Sequence, residues 1–142
     1  MMRDLFNNIT LKRALSPVAT PADNTAQVCQ IIDRQGFNSL TYAIATGALP
    51  DADATFTVLL EEGDVANLSD AAAVADADLL GTEALASFIF SDDDKVFKLG
   101  YVGDKRYTRL TITPGANASA SLLEVTAILG HPSKAPTVNP PA

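Results

Sequence analysis

The feature that most constrains the fold of this chain is a series of short segments in which apolar and polar residues alternate. About seven such segments lie between residues 26 and 130, and turn-forming residues separate them every 8–14 positions. A period of two places alternate side chains on opposite faces of a β-strand. Many short strands at this spacing are typical of antiparallel sheets that pack face to face. The sequence therefore predicts an all-β fold, an antiparallel β-sandwich that is jelly-roll-like.

One segment inside this series does not fit the alternation. Residues 70–80 combine an Ala-rich stretch of high helix propensity with an Asp that is able to cap a helix. Their further Asp residues favour turns, so we predict a helical turn or irregular loop, with an extended crossover as the alternative. The predicted strands cover 28–34, 40–45, 56–60, 88–90, 96–101, 107–112 and 122–129.

The two ends of the chain differ in composition from its centre. The first 25 residues are mostly polar, with one apolar cluster at Leu5, Phe6 and Ile9, and the last eleven contain four prolines. Proline fixes φ and donates no hydrogen bond to a sheet. We therefore expect an extended N-terminal arm over 1–25, a sandwich domain over 26–131 and an extended Pro-rich C-terminal tail over 132–142.

Charge is distributed unevenly along the chain. The formal net charge is −7, composed of +1 in residues 1–50, −12 in residues 51–94 and +4 in residues 95–142. A free-standing nucleic-acid-binding protein is normally basic, so we expect no nucleic-acid partner. An acidic block between basic flanks is either a surface for complementary docking or a solvated surface that maintains solubility.

Cysteine content and hydropathy limit the possible chemistry and location. Cys29 is the single cysteine, which excludes an intramolecular disulfide and a cysteine-based zinc site. It lies in an apolar run, where a buried thiol is expected. No stretch resembles a signal peptide or reaches the ~18–20 apolar residues of a membrane span. We expect no membrane partner and synthesis in a reducing cytoplasm.

Two acidic motifs resemble known catalytic or metal-binding patterns. Asp51-Ala52-Asp53-Ala54-Thr55 has the Asp-x-Asp-x-Thr spacing of haloacid-dehalogenase-type phosphatases, in which one Asp attacks phosphorus. That chemistry requires a parallel α/β sheet, which the strand-rich pattern does not predict. Asp92-Asp93-Asp94 offers calcium ligands but lacks the rest of a calcium-loop pattern. We interpret both as Asp-rich turns, and we predict no enzyme activity and no catalytic, metal or cofactor site.

His131, the sole histidine, precedes Pro132 at the end of the last predicted strand. A catalytic triad needs a nucleophile and an acid around the histidine, and no nucleophile motif such as Gly-x-Ser-x-Gly occurs in the sequence. We predict that His131 is a structural residue at a strand end.

Lys105, Arg106 and Arg109 form a basic cluster in the sequence, with Tyr101 and Tyr107 beside them. Such a cluster is able to bind phosphate or to stack on bases. The acidic surroundings favour pairing with carboxylates instead, within the fold or across an interface.

Two stretches carry a resemblance to a known family. They are Gly100-Tyr101-Val102-Gly103-Asp104-Lys105-Arg106-Tyr107 and the closing Leu129-Gly130-His131-Pro132. The pieces Leu80–Ala84, Ser39–Ala45 and Asp51–Glu62 fit the same pattern. Over residues 30–132 the chain resembles a family of small structural proteins of tailed bacteriophages, found among head-assembly proteins.

That resemblance implies a head decoration, or cement, protein with a jelly-roll-like fold on the outside of an HK97-type capsid. The implied location is the virion, and the partners are the major capsid protein and further copies of the chain, as a dimer or trimer. The arm is expected to clasp a neighbouring subunit, so that deletion of 1–25 weakens attachment more than folding. The expected interface residues are Leu5, Phe6, Ile9, Arg13, Lys105, Arg106 and Arg109.

The alternative function is a phage tail or adsorption component whose β-sandwich binds host carbohydrate. Sugar sites usually need exposed aromatic side chains. The chain has no Trp and three Tyr, which favours the decoration protein.

Overall fold

Two antiparallel sheets pack face to face in the computed structural model, which describes residues 1–138. The first sheet contains, in spatial order, β1 (Ile9–Ala19), β11 (Leu122–Pro132), β4 (Phe37–Thr46), β9 (Val96–Tyr101) and β7 (Leu79–Leu80). The second contains β2 (Gln27–Val28), β10 (Tyr107–Gly115), β5 (Thr55–Gly63) and β6 (Ala72–Ala73), with β3 (Ile32–Asp33) beside β10 and β8 (Phe88–Ile89) beside β5. The predicted antiparallel β-sandwich is confirmed.

The chain changes sheet between successive long strands. β4 lies in the first sheet and β5 in the second, and the same alternation continues through β9, β10 and β11. These crossings place the loops at the two ends of the sandwich, as in a jelly-roll-like arrangement. Among residues 1–138 no helix has the length and hydropathy needed to cross a bilayer.

The core lies between the sheets and follows the period-two pattern. In β4 the inward side chains of Leu40, Tyr42 and Ile44 are buried, while the side chains between them are partly exposed. The Tyr42 hydroxyl hydrogen-bonds the Thr108 hydroxyl on β10 at 2.6 Å, so the polar end of this buried ring is satisfied. Burial raises the pKa of the Tyr42 phenol.

Three phenylalanine rings from three strands stack at one end of the core. The Phe88 ring lies 4.9 Å from Phe56 and 5.5 Å from Phe97, measured between centroids, and both pairs are nearly parallel. Aromatic pairs at such distances stabilise a core beyond their area burial. The short strand β8 is therefore anchored by one buried side chain at the centre of this stack.

The arm expected over residues 1–25 is wrong for much of its length, because residues 9–19 form β1. This strand pairs with β11 from Ile9–Gly130 to Ala19–Leu122, with register shifts near Leu15. Its sequence lacks a clean alternation because of those shifts, which explains why the sequence did not predict a strand. The sandwich therefore begins at Ile9 instead of residue 26.

The C-terminal tail turns back toward the start of β1. The Thr137 backbone N–H donates to the Asn7 carbonyl at 3.0 Å, and its hydroxyl donates to the Ile9 carbonyl at 2.5 Å. The predicted tail is thus held on the sandwich at this point, and its residues 139–142 lie outside the described residues.

Residues 70–80 combine both alternatives left open by the sequence. A 3₁₀ turn at Asp76–Asp78 lies between β6 and β7, which belong to different sheets. The segment is therefore a crossover that contains one helical turn. A short helix that the sequence did not predict, α1 (Glu83–Ala86), follows it and is capped by the Thr82 hydroxyl, which accepts from the Leu85 N–H at 3.0 Å.

Candidate interaction surface

The outward face of the first sheet carries a row of five aligned residues, three of them large and apolar, that crosses all five strands. The strand register aligns Leu11 with Ile128, Ile128 with Thr41, Thr41 with Gly100, and Gly100 with Leu80. Residues aligned in this way share one face of a sheet. A Cβ at Gly100 would lie 2.8 Å from the Leu80 Cβ, so glycine allows the Leu80 side chain to lie across β9. We call this surface, with the rows described next, the outer face.

The next two rows of the outer face are small side chains with a few charges. Arg13, Thr126, Ala43 and Lys98 form one row, and Glu124, Ala45 and Val96 form the other. Ala and Thr leave the centre of the face flat. Arg13 was predicted as an interface residue, but Lys98 and Glu124 were not. Both lie on predicted strands, at period-two positions that place them on the same face of their strand as the small side chains of these rows.

The first eight residues fold into a short turn beside the outer face. The Asp4 carboxylate accepts from the Asn7 backbone N–H at 3.0 Å and from its side-chain amide at 2.6 Å. The Asn7 hydrogen bonds lower the pKa of the Asp4 carboxyl. A groove of about 440 Å³ lies under this turn, with Leu5, Ile9, Thr41 and Ile128 among its lining residues.

Most apolar side chains of this segment point into solvent. Met1, Met2, Leu5 and Phe6 each have more than 60% of their surface exposed. Contiguous exposed apolar residues mark protein contact sites more often than isolated ones. The structure thus gathers the predicted interface residues Leu5, Phe6 and Ile9 at the edge of the outer face, and it places Arg13 on the same face.

The other three predicted interface residues have carboxylate partners in their own chain. The Lys105 ammonium lies 2.8 Å from Asp64, and the Arg109 guanidinium lies 3.1 Å from Glu61. Arg106 donates two hydrogen bonds to Asp33, at 2.9 and 3.0 Å. Pairing within the fold, one of the two alternatives given for this cluster, is what the structure shows. The predicted interface residues that are paired within their own chain are Lys105, Arg106 and Arg109.

The ion pair between Arg106 and Asp33 is expected to make the melting temperature of the protein depend on pH. The hydrogen bond from Arg106 lowers the pKa of the Asp33 carboxyl. A carboxyl whose pKa is lower in the folded than in the unfolded chain stabilises the fold fully when the pH is above its unfolded pKa. This contribution is lost as the pH falls through the pKa of the folded state. We expect Arg106→Gln to lower Tm by about 1–4 °C at pH 7 and by a smaller amount near pH 2, where the side chain keeps its hydrogen bond to Gln35 and its contact with the Tyr107 ring.

Lys134→Gln provides the matched control for that melting experiment, because Lys134 is exposed and forms no ion pair among residues 1–138. Its Tm should match the parent chain at both pH values. An Arg106→Gln deficit of equal size at both pH values would show that the ion pair with Asp33 does not contribute to stability.

Part of the acidic block of residues 51–94 hydrogen-bonds to backbone N–H groups of the same chain. Five of its carboxylates accept backbone N–H groups at 2.6–2.9 Å. The contacts at Leu49, Asp64 and Ala118 satisfy loop or turn N–H groups, and the other two satisfy N–H groups of β5 and β8. This finding agrees with the interpretation of Asp-rich turns and leaves fewer free carboxylates for docking. The five carboxylates that accept these backbone hydrogen bonds belong to Asp51, Asp70, Glu83, Asp92 and Asp93.

The candidate chemical motifs do not assemble into a site in the described residues. Asp51 accepts from the Ala118 N–H at 2.6 Å, which lowers its pKa, and its hydrogen bond with Asp53 raises the pKa of Asp53. Among residues 1–138 no group of three or more His, Cys, Asp or Glu side chains is placed to hold a metal ion. Cys29 is buried, which raises its pKa to about 12, so the thiol stays protonated at neutral pH.

His131 lies at the end of β11, and its Nδ1 is 3.0 Å from the Ser39 hydroxyl. Its φ is +49°, a left-handed conformation that is uncommon for a residue other than glycine. A Cβ on Gly130 would lie 2.7 Å from the Ser39 hydroxyl oxygen, so glycine at this position leaves room for that hydroxyl. The structure places His131 at the end of the last strand, where the sequence predicted it.

The edges of both sheets are protected. The outer edge of β1 is partly occupied, because the Gln30 N–H donates to the Ala14 carbonyl at 2.8 Å and Thr137 bonds the Ile9 carbonyl. Pro17, also on β1, has no backbone N–H and so donates no hydrogen bond to an added strand. The strands at the remaining edges have only two residues each. Short and covered edges disfavour strand addition between molecules, so the faces and the first eight residues remain for contacts.

Comparisons with known proteins identify no family. No protein-family model and no curated protein matches the chain. Among solved structures, the chain is similar to the crystal structure of the N-terminal CBM22-1–GH10 modules of endo-1,4-β-D-xylanase 10B from Clostridium thermocellum, complexed with xylohexaose, with 10% identity and a TM-score of 0.44. The match covers 94% of this chain and 28% of that one, so the chain spans less than a third of its length.

Proposed function

We propose that the protein is a decoration, or cement, subunit of a phage head, which binds the outside of an HK97-type capsid and bridges neighbouring capsomers. The observation that carries the proposal is the exposed apolar segment of residues 1–6, fixed at one end of a sandwich. Its Leu5 and Phe6 side chains are about two-thirds exposed. The sequence resemblance to phage head-assembly proteins supports the same role. The partner is the major capsid protein, and the location is the virion surface.

The fold suits a subunit that acts by binding an assembled lattice. A protein that binds the expanded shell, and not the dispersed subunits, stabilises the shell by mass action, by about 2.7 kcal/mol per site at one hundred times Kd. Contacts that repeat around the lattice add avidity without a large single interface. The short and covered sheet edges disfavour polymerisation of the free protein through its own strands, which suits a subunit that binds to an assembled shell.

The tyrosine side chains offer little to the alternative function in carbohydrate binding. Tyr42 and Tyr101 are buried. The Arg106 guanidinium lies over the Tyr107 ring, 5.0 Å from its centroid. An aromatic ring for stacking on a sugar would have to come from Phe6 or Phe90, which are the exposed phenylalanines among residues 1–138.

Co-sedimentation with expanded heads of the phage that encodes the chain tests the proposal. We expect the protein to pellet with expanded heads and to raise their melting temperature. Leu5→Ser combined with Phe6→Ser should weaken binding at least about 10-fold, because two apolar anchors of about 1.5–3 kcal/mol each are lost. The fold should be unaffected, since both side chains lie outside the core.

The control variant for the binding assay is Leu85→Ser. Leu85 is also highly exposed, at 75%, but lies on α1, which packs on β5 and β9 away from residues 1–6. Its head binding should equal that of the parent chain. Absence of co-sedimentation of the parent chain contradicts the proposal, and labelling of tails instead of heads would favour the adsorption component.

A further inference from the structure

We propose that the C-terminal tail is a releasable strap, which holds the N-terminal segment against its own sandwich through the hydrogen bonds of Thr137 to Asn7 and Ile9. We call these two hydrogen bonds the terminal clasp. When the clasp opens, residues 1–8 are free to leave the sheet while the sandwich stays folded. This inference concerns the free protein, so it goes beyond head binding and does not depend on it.

The order of the strands brings the two ends of the chain together. β1 and β11 are antiparallel neighbours, and Ile9 at the start of β1 pairs with Gly130 near the end of β11. Because antiparallel neighbours run in opposite directions, the start of one strand lies beside the end of the other. The residues before β1 and the residues after β11 therefore meet at one end of the sheet, although Thr137 and Ile9 are 128 positions apart in the sequence.

The tail crosses the ends of three neighbouring strands and is anchored at two points. The Ser133 N–H donates to the Gly36 carbonyl, immediately before β4, at 2.8 Å. The Thr137 N–H and hydroxyl donate to the carbonyls of Asn7 and Ile9, at the start of β1, at 3.0 and 2.5 Å. β11, from which the tail leaves the sheet, lies between β4 and β1. The tail thus runs as a strap from one neighbour of β11 to the other.

The strap has few buried contacts, so it is able to open without unfolding the sandwich. Within residues 133–138, Thr137 is partly buried and the other side chains are exposed. A groove of about 570 Å³ lies beside the strap, with Lys12, Phe37 and Pro136 among its lining residues. Segments with few buried apolar contacts open at a small fraction of the free energy of global unfolding. Thr137 is therefore the residue on which the far end of the strap depends.

The N-terminal segment depends on the clasp because little else ties it to the sandwich. The side-chain and carbonyl hydrogen bonds of Asp4 are to Asn7 and Asn8, inside the segment. Among residues 1–138, the hydrogen bond that joins residues 1–8 to another part of the chain is the one from the Thr137 N–H to the Asn7 carbonyl. The large apolar side chains at positions 1–6 lie mostly in solvent. Loss of the clasp therefore leaves a turn that is attached chiefly through its backbone to β1.

Two hydrogen bonds set the balance between the closed and the open clasp. Loss of one net hydrogen bond shifts such an equilibrium by about 5-fold, and loss of two shifts it by up to about 30-fold. Once released, the segment before β1 reaches up to about 26 Å from Ile9. The clasp thus decides whether the exposed apolar side chains stay at the end of their own sandwich or extend away from it.

Limited proteolysis of the purified full chain with chymotrypsin tests the inference, with the rate of cleavage after Phe6 measured by mass spectrometry. The cleavage rate follows the population of the open segment when opening and closing are fast. We expect the parent chain to be cleaved slowly at this bond. Thr137→Val, which lacks the hydroxyl, should be cleaved about 5-fold faster, and Thr137→Pro, which also lacks the N–H, about 5- to 30-fold faster.

Thr137→Ser is the matched control, because it keeps both hydrogen-bond donors, and its cleavage rate should equal that of the parent chain. The Tm of all three variants should stay close to that of the parent chain. Equal cleavage of Thr137→Pro and Thr137→Ser overturns the inference, as does cleavage of the parent chain at the rate of an unfolded peptide. A large fall in the Tm of Thr137→Val also overturns it, since the tail would then belong to the cooperative fold. The assay contains no phage heads, so failure of the head proposal and failure of the clasp are distinguishable.

Discussion

A chain that lacks residues 1–25 is expected not to fold. This deletion removes β1, which makes eight register pairs with β11 and contributes buried residues such as Ala14 to the core. At about 1 kcal/mol for each lost hydrogen bond, plus the exposed core, the cost is comparable to the about 5–15 kcal/mol that stabilises a domain. Circular dichroism should show no β-sheet signal, and thermal melting should show no cooperative transition.

The matched variant for this deletion lacks only residues 1–6. It keeps β1 entire, so we expect a sheet signal and a Tm within a few degrees of the parent chain, together with a loss of head binding. The contrast separates the two roles that the sequence assigned to one arm. A folded chain after deletion of 1–25 would show that β1 is an appendage, as first expected, and would contradict the pairing of β1 with β11.

The second large effect is expected from Phe88→Ala. Phe88 is buried and lies between Phe56 and Phe97 in the stack of three rings. Truncation of such a ring removes its buried area and leaves a cavity, at a cost of about 3–5 kcal/mol. Urea unfolding should therefore show a midpoint far below that of the parent chain with an unchanged slope.

Phe90→Ala is the control for the ring stack. Phe90 lies two residues further along and is 37% exposed, so its truncation should cost less than about 1 kcal/mol. Equal losses from both variants would mean that the stack does not anchor β8 and that the end of the core is looser than the geometry indicates.

The central strands were predictable because their alternation is local. β4, β5, β9, β10 and β11 each contain an apolar face that the sequence displays directly; the bounds of β9 are as predicted, and the structure extends the other four by a few residues. β1 was missed because bulges near Leu15 interrupt its period, and its stability comes from pairing with β11, more than 100 residues away. Local pattern carries no information on such a pairing.

The candidate interaction surface was only partly predictable for the same reason. The exposed cluster at Leu5 and Phe6 was visible as apolar residues in a polar segment. The outer face depends on which strands are neighbours, and the order β11-β4-β9 brings Lys98 and Glu124 onto one surface. The basic residues at 105–109 were selected for an interface by their charge, but partners such as Asp33, some 70 residues away, became evident only in the fold.

Cryo-electron microscopy of expanded phage heads incubated with the purified protein tests directly whether the chain is a decoration subunit. We expect density for a two-layered sandwich on the outside of the shell, with residues 1–6 at the contact with the capsid protein. The heads incubated with the Leu5→Ser/Phe6→Ser variant should lack that density. Undecorated shells with the parent chain would show that it is not a decoration subunit, and contact through another part of the sandwich while residues 1–6 face solvent would show that this segment is not the capsid-binding site.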